Sequence, residues 1–89
     1  MLKVRALEQI IRGFSNHKRI EILDLLEREP ELSASEIASK LKMSLKLSSA
    51  YTRRLTIAGL IMKKSQGKNI RHKLSKRGYN VLTFLRTLE

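Results

Sequence analysis

The chain has 89 residues, no cysteine, and nineteen Lys and Arg against eight Asp and Glu, a formal net charge of +11. No cysteine means no disulfide, no thiolate metal site and no thiol redox switch, which fits an intracellular protein. No stretch reaches the roughly 20 apolar residues of a membrane span. Lys3, Arg5, Glu8 and Arg12 interrupt any signal-peptide apolar block at the start. The length suits one domain with a thin core.

Met1–Phe14 carries Val4, Leu7, Ile10, Ile11 and Phe14 at helical spacing, and Gly13 is expected to break this first helix. Ser15-Asn16 offers the next N-cap. His17–Glu29 reads as a second helix whose broad apolar face, Ile20, Ile22, Leu23, Leu25 and Leu26, suits a central position packed on more than one side. Pro30, the only proline, ends it. Leu32 is an isolated apolar residue that suits a short strand. Ser33-Ala34-Ser35-Glu36 is a capping box, so Ile37, Ala38 and Leu41 belong to a short third helix ending near Lys42.

Ser44 is the N-cap candidate of a fourth helix, with Leu47, Tyr51, Leu55 and Ala58 as its apolar stripe and Gly59 as its stop. Two short helices joined by about three residues form a helix-turn-helix. Leu60–Ser65 and Asn69–Leu74 bound Gln66-Gly67-Lys68 as a hairpin, with Ile70, His72 and Leu74 facing inward and Arg71 and Lys73 outward. Ser75 caps a last helix through Leu88, apolar at Tyr79, Val81, Leu82, Leu85 and Leu88.

The charge is unevenly spread. Residues 1–36 hold six basic and seven acidic residues. Residues 37–89 hold thirteen basic residues and one acidic one, the terminal Glu89. A surface built only for solubility mixes both signs. Half a chain without an internal carboxylate carries a positive field that suits a polyanion, nucleic acid before an acidic membrane surface.

Within that half, Lys40–Ile61 (KLKMSLKLSSAYTRRLTIAGLI) resembles the helix-turn-helix of winged-helix transcriptional regulators of the ArsR and MarR kind. His17–Leu23 is similar to their Arg-x-x-Ile-Leu helix, and Lys73–Gly78 to their Leu-Thr-x-x-Gly after the wing. The resemblance covers roughly residues 14 to 88 and implies a mainly α fold with a small β-hairpin. The order is helix, helix, helix, turn, helix, hairpin, helix: a winged helix-turn-helix. Two positions depart from the pattern, Ser48 and Thr52 standing where the family usually has apolar residues. Either the fourth helix is rotated relative to the family, or these two residues make a small, close helix contact.

The candidate recognition-helix residues are Leu45, Lys46, Ser49, Ala50, Arg53 and Arg54, on a cationic helix suited to a major groove. Lys46, Ser49 and Arg53 are expected at or near bases and Arg54 at phosphate, against the plainer reading of a solvated basic face. The wing candidates are Lys63, Lys64, Lys68, Asn69, Arg71 and Lys73, against an ordinary exposed hairpin whose lysines discourage edge pairing. Ser33, Ser35 and Ser44 sit at helix N-termini and are phosphate-contact candidates, with capping the simpler role.

His17 and His72, from distant segments and without cysteine, make a poor metal site. No metal or other cofactor is expected, and no metal-sensing role is carried over from the ArsR resemblance. Six of the eight acids lie between positions 21 and 36, with no Gly-rich phosphate loop and no carboxylate in the basic half to act as a base, so catalysis is not expected.

The reading is a cytoplasmic, nucleoid-associated protein that binds double-stranded DNA in a sequence-specific way and regulates transcription at an operator. The chain forms one domain, with residues 1–14 and 76–89 as terminal helices that pair two copies. The interface candidates are Val4, Leu7, Ile11 and Phe14 from the first helix and Val81, Leu82, Leu85 and Leu88 from the last. The alternatives are a less specific nucleic-acid architectural protein and a winged-helix module for a protein partner.

Overall fold

The computed structural model describes residues 3–89. Five helices and one hairpin follow in order: α1 (Val4–Phe14), α2 (His17–Arg28), α3 (Ala34–Leu41), α4 (Leu45–Ile57), β1 (Ile61–Gln66), β2 (Asn69–Leu74) and α5 (Lys76–Arg86). Met1 and Leu2, where the first helix was expected to begin, lie outside the described residues.

Local chemistry explains most boundaries. The Asn16 side chain accepts from the backbone N–H groups of Lys18 (2.9 Å) and Arg19 (3.2 Å), which starts α2. At α3 the capping box is complete: the Ser33 hydroxyl accepts from the Glu36 N–H (3.1 Å), and Glu36 Oε1 accepts from the Ser33 N–H (2.9 Å). Lys42, in a left-handed conformation, closes that helix. Ser44 and Ser75 cap α4 and α5, each through its hydroxyl. Such caps contribute on the order of 1 kcal/mol each.

Gly13 does not break α1, which continues through it to Phe14. Its role is contact: a methyl group placed there would overlap the Ala58 side chain, so the missing Cβ lets α1 lie against the end of α4. Gly78 does the same for α5, where a methyl would meet the Leu60 carbonyl.

The core gathers around α2. Ile22, Leu23 and Leu26 are fully buried and meet Ile37 of α3, Leu55 of α4 and Leu60, just before the hairpin. Arg19 is also buried. Its Nη2 donates to the Arg12 carbonyl at the end of α1 (3.2 Å), and its guanidinium lies 5.4 Å from the centre of the Tyr51 ring. A cation near the free carbonyls of a helix end and over an aromatic face is stabilised twice. Burial, then the nearby positive charge of Arg54, lowers its pKa.

The hairpin is antiparallel, pairing Ile61 with Leu74 at its base and Gln66 with Asn69 at its tip, where Gly67 has φ 61°. Leu32 forms a third, one-residue strand. Its N–H donates to the His72 carbonyl (3.2 Å), and the His72 N–H donates to the Leu32 carbonyl (2.8 Å). His72 and Leu74 face inward as expected. Ile70, on the same face, is exposed, because the hairpin projects beyond the core and only its base is covered. Tyr79 of α5 is likewise exposed, leaving Leu82 to enter the core.

Candidate nucleic-acid interface

Helix α4 shows how its departures from the family pattern are accommodated. The side it buries is Ser48, Thr52 and Leu55. The Ser48 hydroxyl donates to the Ala34 carbonyl at the start of α3 (2.8 Å), and the Thr52 hydroxyl to the Ser49 carbonyl (3.1 Å). Small side chains let α3 and α4 approach closely, and each hydroxyl is satisfied inside, avoiding the cost of a buried unpaired group. Of the two readings of Ser48 and Thr52, the close helix contact is the one observed.

Of the expected stripe Leu47, Tyr51, Leu55 and Ala58, Leu55 is buried and Tyr51 and Ala58 pack partly against the core, so the correction falls on Leu47. Leu47 is 38% exposed and Tyr51 half-buried, since the inward period runs through Ser48, Thr52 and Leu55. At 3.6 residues per turn the opposite ridge is Lys46, Ala50, Arg53 and Ile57. All four are exposed, Ile57 to 79%. Arg54 is also exposed, while Ser49 is half-buried on one flank. Sequence reasoning missed Leu47 and Ile57 as surface residues. The available signal was the same helical period, restarted from Ser48.

The wing candidates divide into two groups. Lys64 and Arg71 are opposite each other across the strands and turn back toward the segment before α3. Lys64 Nζ lies 3.2 Å from Glu31 Oε1. Arg71 Nη1 donates to the Glu31 carbonyl (2.6 Å) and to Glu36 Oε1 (3.2 Å). These two cations brace the hairpin. Lys63, Lys68 and Lys73 are exposed and make no ion pair among the described residues, and Asn69 stands beside the tip. Glu36, hydrogen-bonded first by the Ser33 backbone and hydroxyl and then facing Arg71, titrates below the usual carboxylate range. Burial pushes the His72 pKa down, partly offset by the Leu32 carbonyl at 3.2 Å from Nδ1.

Of the phosphate-contact candidates, Ser33 and Ser44 have hydroxyls engaged as caps, and Ser35 is exposed. The expected subunit-pairing residues also separate. Val4 (79%), Leu7 and Ile11 (54%) are exposed along α1, as is Leu88 after α5. Phe14 and Val81 pack partly against the core. Leu82 is taken up by the core of its own chain, because α5 docks on α2 through it, so it has no surface to offer a partner. Leu85 is half-buried.

Lys46, Arg53 and Arg54 likewise make no ion pair among the described residues. A helix-turn-helix thus carries an unneutralised cationic ridge beside a projecting cationic hairpin. Residues 15–62 match a family described as winged helix-turn-helix DNA-binding. The chain belongs to that family. The match spans more than half the sequence and includes the whole helix-turn-helix.

Solved winged-helix structures superpose closely. The homodimeric winged helix-turn-helix DNA-binding domain of Mb0332 from Mycobacterium bovis, a possible ArsR-family transcriptional regulator, is 21% identical with a TM-score of 0.87, over 96% of this chain and 79% of that one. Reduced HlyU from Vibrio cholerae is 24% identical with a TM-score of 0.79, over 94% and 88% of the two chains. A MarR family protein from Bacillus stearothermophilus is 18% identical with a TM-score of 0.76, and this chain covers 59% of it. At these identities the likeness establishes the fold. No curated protein sequence matches the chain. The family matched is a DNA-binding one, and no helix among the described residues is long and apolar enough to cross a membrane.

Proposed function

We propose that this winged helix-turn-helix protein recognises a specific double-stranded DNA sequence and regulates transcription by occupying it as a homodimer. In a cell it works in the cytoplasm, at the nucleoid. The observation that carries this reading is the outward ridge of α4: Lys46 and Arg53 stand exposed and without carboxylate partners among the described residues, next to a hairpin bearing Lys63, Lys68 and Lys73. A recognition helix needs side chains free to reach base edges, and a wing needs cations free to follow phosphate. Arg54 and the wing lysines supply affinity. Lys46, Ser49 and Arg53 supply preference.

The apolar residues left open on the terminal helices support two-fold pairing. Val4, Leu7 and Ile11 lie along one side of α1, the side away from α4, and exposed leucine follows α5. Pairing would cover them on both copies at once. It would also set two α4 helices on half-sites about one helical turn, or a multiple, apart. The homodimeric Mb0332 domain adds weight to this arrangement.

Selection of bound sequences from a random duplex pool tests the reading. The expected result is an enriched, two-fold symmetric site that outcompetes random duplex, with affinity falling steeply with salt, by about 0.9 in log–log slope per neutralised phosphate. A flat salt dependence would sink the DNA interface as drawn. Sedimentation of Ile11→Glu beside the parent chain tests the pairing. A dimer converted to a monomer is expected, and a parent that is monomeric at micromolar concentration overturns it.

A further inference from the structure

The outward surface of α4 is not only cationic. Leu45 is 55% exposed and Leu47 38%, and Ala50 is exposed one turn further on. None of them is needed for the fold, since α4 docks through Ser48, Thr52 and Leu55. At 100° per residue the two leucines stand about 160° apart, on opposite flanks of the ridge that Lys46 leads, so a groove wide enough to wrap the first turn meets an apolar side chain on each flank. That is the end of a recognition helix whose side chains meet base edges.

A second copy of the same face does not suit this surface, because Lys46, Arg53 and Arg54 would be brought against themselves. The required occupant is strongly anionic around its rim and apolar at discrete points within. Duplex DNA has that pattern: phosphates border the major groove, and each thymine places a C5-methyl group inside it. Ala50 adds a small side chain that allows close approach, and its own methyl suits the same contact.

We propose that Leu45, Leu47 and Ala50 read thymine methyl groups, which makes thymine beneath the first two turns of α4 a determinant of the half-site. The inference rests on α4 being the recognition helix and names the base chemistry that it selects. It also sets a distance. Leu45 and Arg53 are eight residues apart, about 12 Å along the helix. At about 3.4 Å per base step, the thymines and any guanine bound by Arg53 fall within about four base pairs of one another.

Uracil replaces thymine without changing its pairing edge and removes only the methyl group. The test uses the full chain and the duplex selected above, with uracil substituted at one thymine at a time. The expected result is a loss of about fourfold in affinity at one or two positions per half-site, the effect of uncovering one methyl-sized group. Leu47→Ala and Leu45→Ala should lose affinity for the thymine duplex and become insensitive to uracil at the matching position. Leu45 is more than half exposed, so thermal melting should be unchanged in Leu45→Ala. If uracil at every thymine leaves affinity intact while the selected duplex still outcompetes random DNA, the methyl reading fails and the recognition helix stands. A selected site without thymine near the guanine has the same meaning. If no sequence outcompetes random duplex, both readings fall together.

Discussion

Helices α2 and α4 are of nearly equal length, 12 and 13 residues, and are built for opposite ends. Helix α2 buries Ile22, Leu23, Leu25 and Leu26, and its charges other than Arg19 are paired: Lys18 with Glu21 (3.8 Å), Arg28 with Asp24 (3.2 Å), and Asp24 and Glu27 with Arg86 of α5. The Arg86 guanidinium, hydrogen-bonded by Glu27, holds that carboxyl below its usual range. Helix α4 buries one leucine and two hydroxyl side chains and leaves its cations unmatched. One helix buries a broad apolar face and organises the core. The other is held by a narrow, closely fitted edge and leaves the rest exposed, the surface proposed above to meet DNA. If α4 is the recognition helix proposed above, stability and recognition rest on different helices, and changes to one should be separable from changes to the other.

The largest effect should come from the organising helix. Ile22→Ala removes a fully buried side chain and is expected to cost about 2–5 kcal/mol of stability in denaturant unfolding. Ile57→Ser on the exposed ridge of α4 should change it by less than about 0.5 kcal/mol. Comparable losses at the two positions would erase the contrast.

Next comes the fitted edge. Ser48→Leu restores the apolar residue usual in the family but places extra volume where α3 and α4 touch. Overpacking should cost about 1–3 kcal/mol, and a gain in stability would show the contact to be loose. On the recognition side, Arg53→Ala should leave the melting temperature in place. It should weaken the selected duplex by about 1–3 kcal/mol and relax one base position, whereas Lys68→Ala should weaken all duplexes alike and reduce the salt slope by about one. Equal losses from Arg53→Ala on selected and random DNA would assign that arginine to phosphate.

The smallest effect concerns the inner part of the wing, where His72 of β2 bridges to Leu32. His72 is buried as the neutral ring, with its pKa lowered. The unfolded chain therefore takes up a proton first as pH falls. The contribution of His72 is complete above about pH 6.5, its ordinary value. It declines as pH drops from there toward the lowered native pKa. Melting temperatures measured between pH 7 and 5 should fall, and His72→Gln should remove part of that slope. The paired carboxylates Glu27 and Glu36 act later, below their ordinary value near 4.5. An unchanged slope in the variant would mean that His72 is not what couples the wing to pH.

Much of this architecture was legible in the chain. Asn16, the Ser33–Glu36 box, Ser44 and Ser75 mark helix starts because capping is a local interaction within three residues. Gly67 marks the hairpin because a two-residue turn needs positive φ. The absence of an internal carboxylate beyond Ile37 pointed to a polyanion without reference to any fold.

What the sequence could not decide was which way side chains face when two periods compete. Leu47, Tyr51 and Leu55 form a plausible stripe by hydropathy. Only the position of α3, with the Ala34 carbonyl waiting for the Ser48 hydroxyl, turns Ser48 and Thr52 inward and sends Leu47 out. Gly13 reads as a helix breaker until Ala58, 45 residues away, is packed against it. Arg71 reads as a free wing cation until Glu31 and Glu36 close on it. Composition and local hydrogen bonding determined the elements, their order and the sign of the partner. Contacts between residues distant in sequence decided which face of α4 is offered and which cations remain free, because packing complementarity and charge pairing depend on spatial neighbours that no local pattern contains.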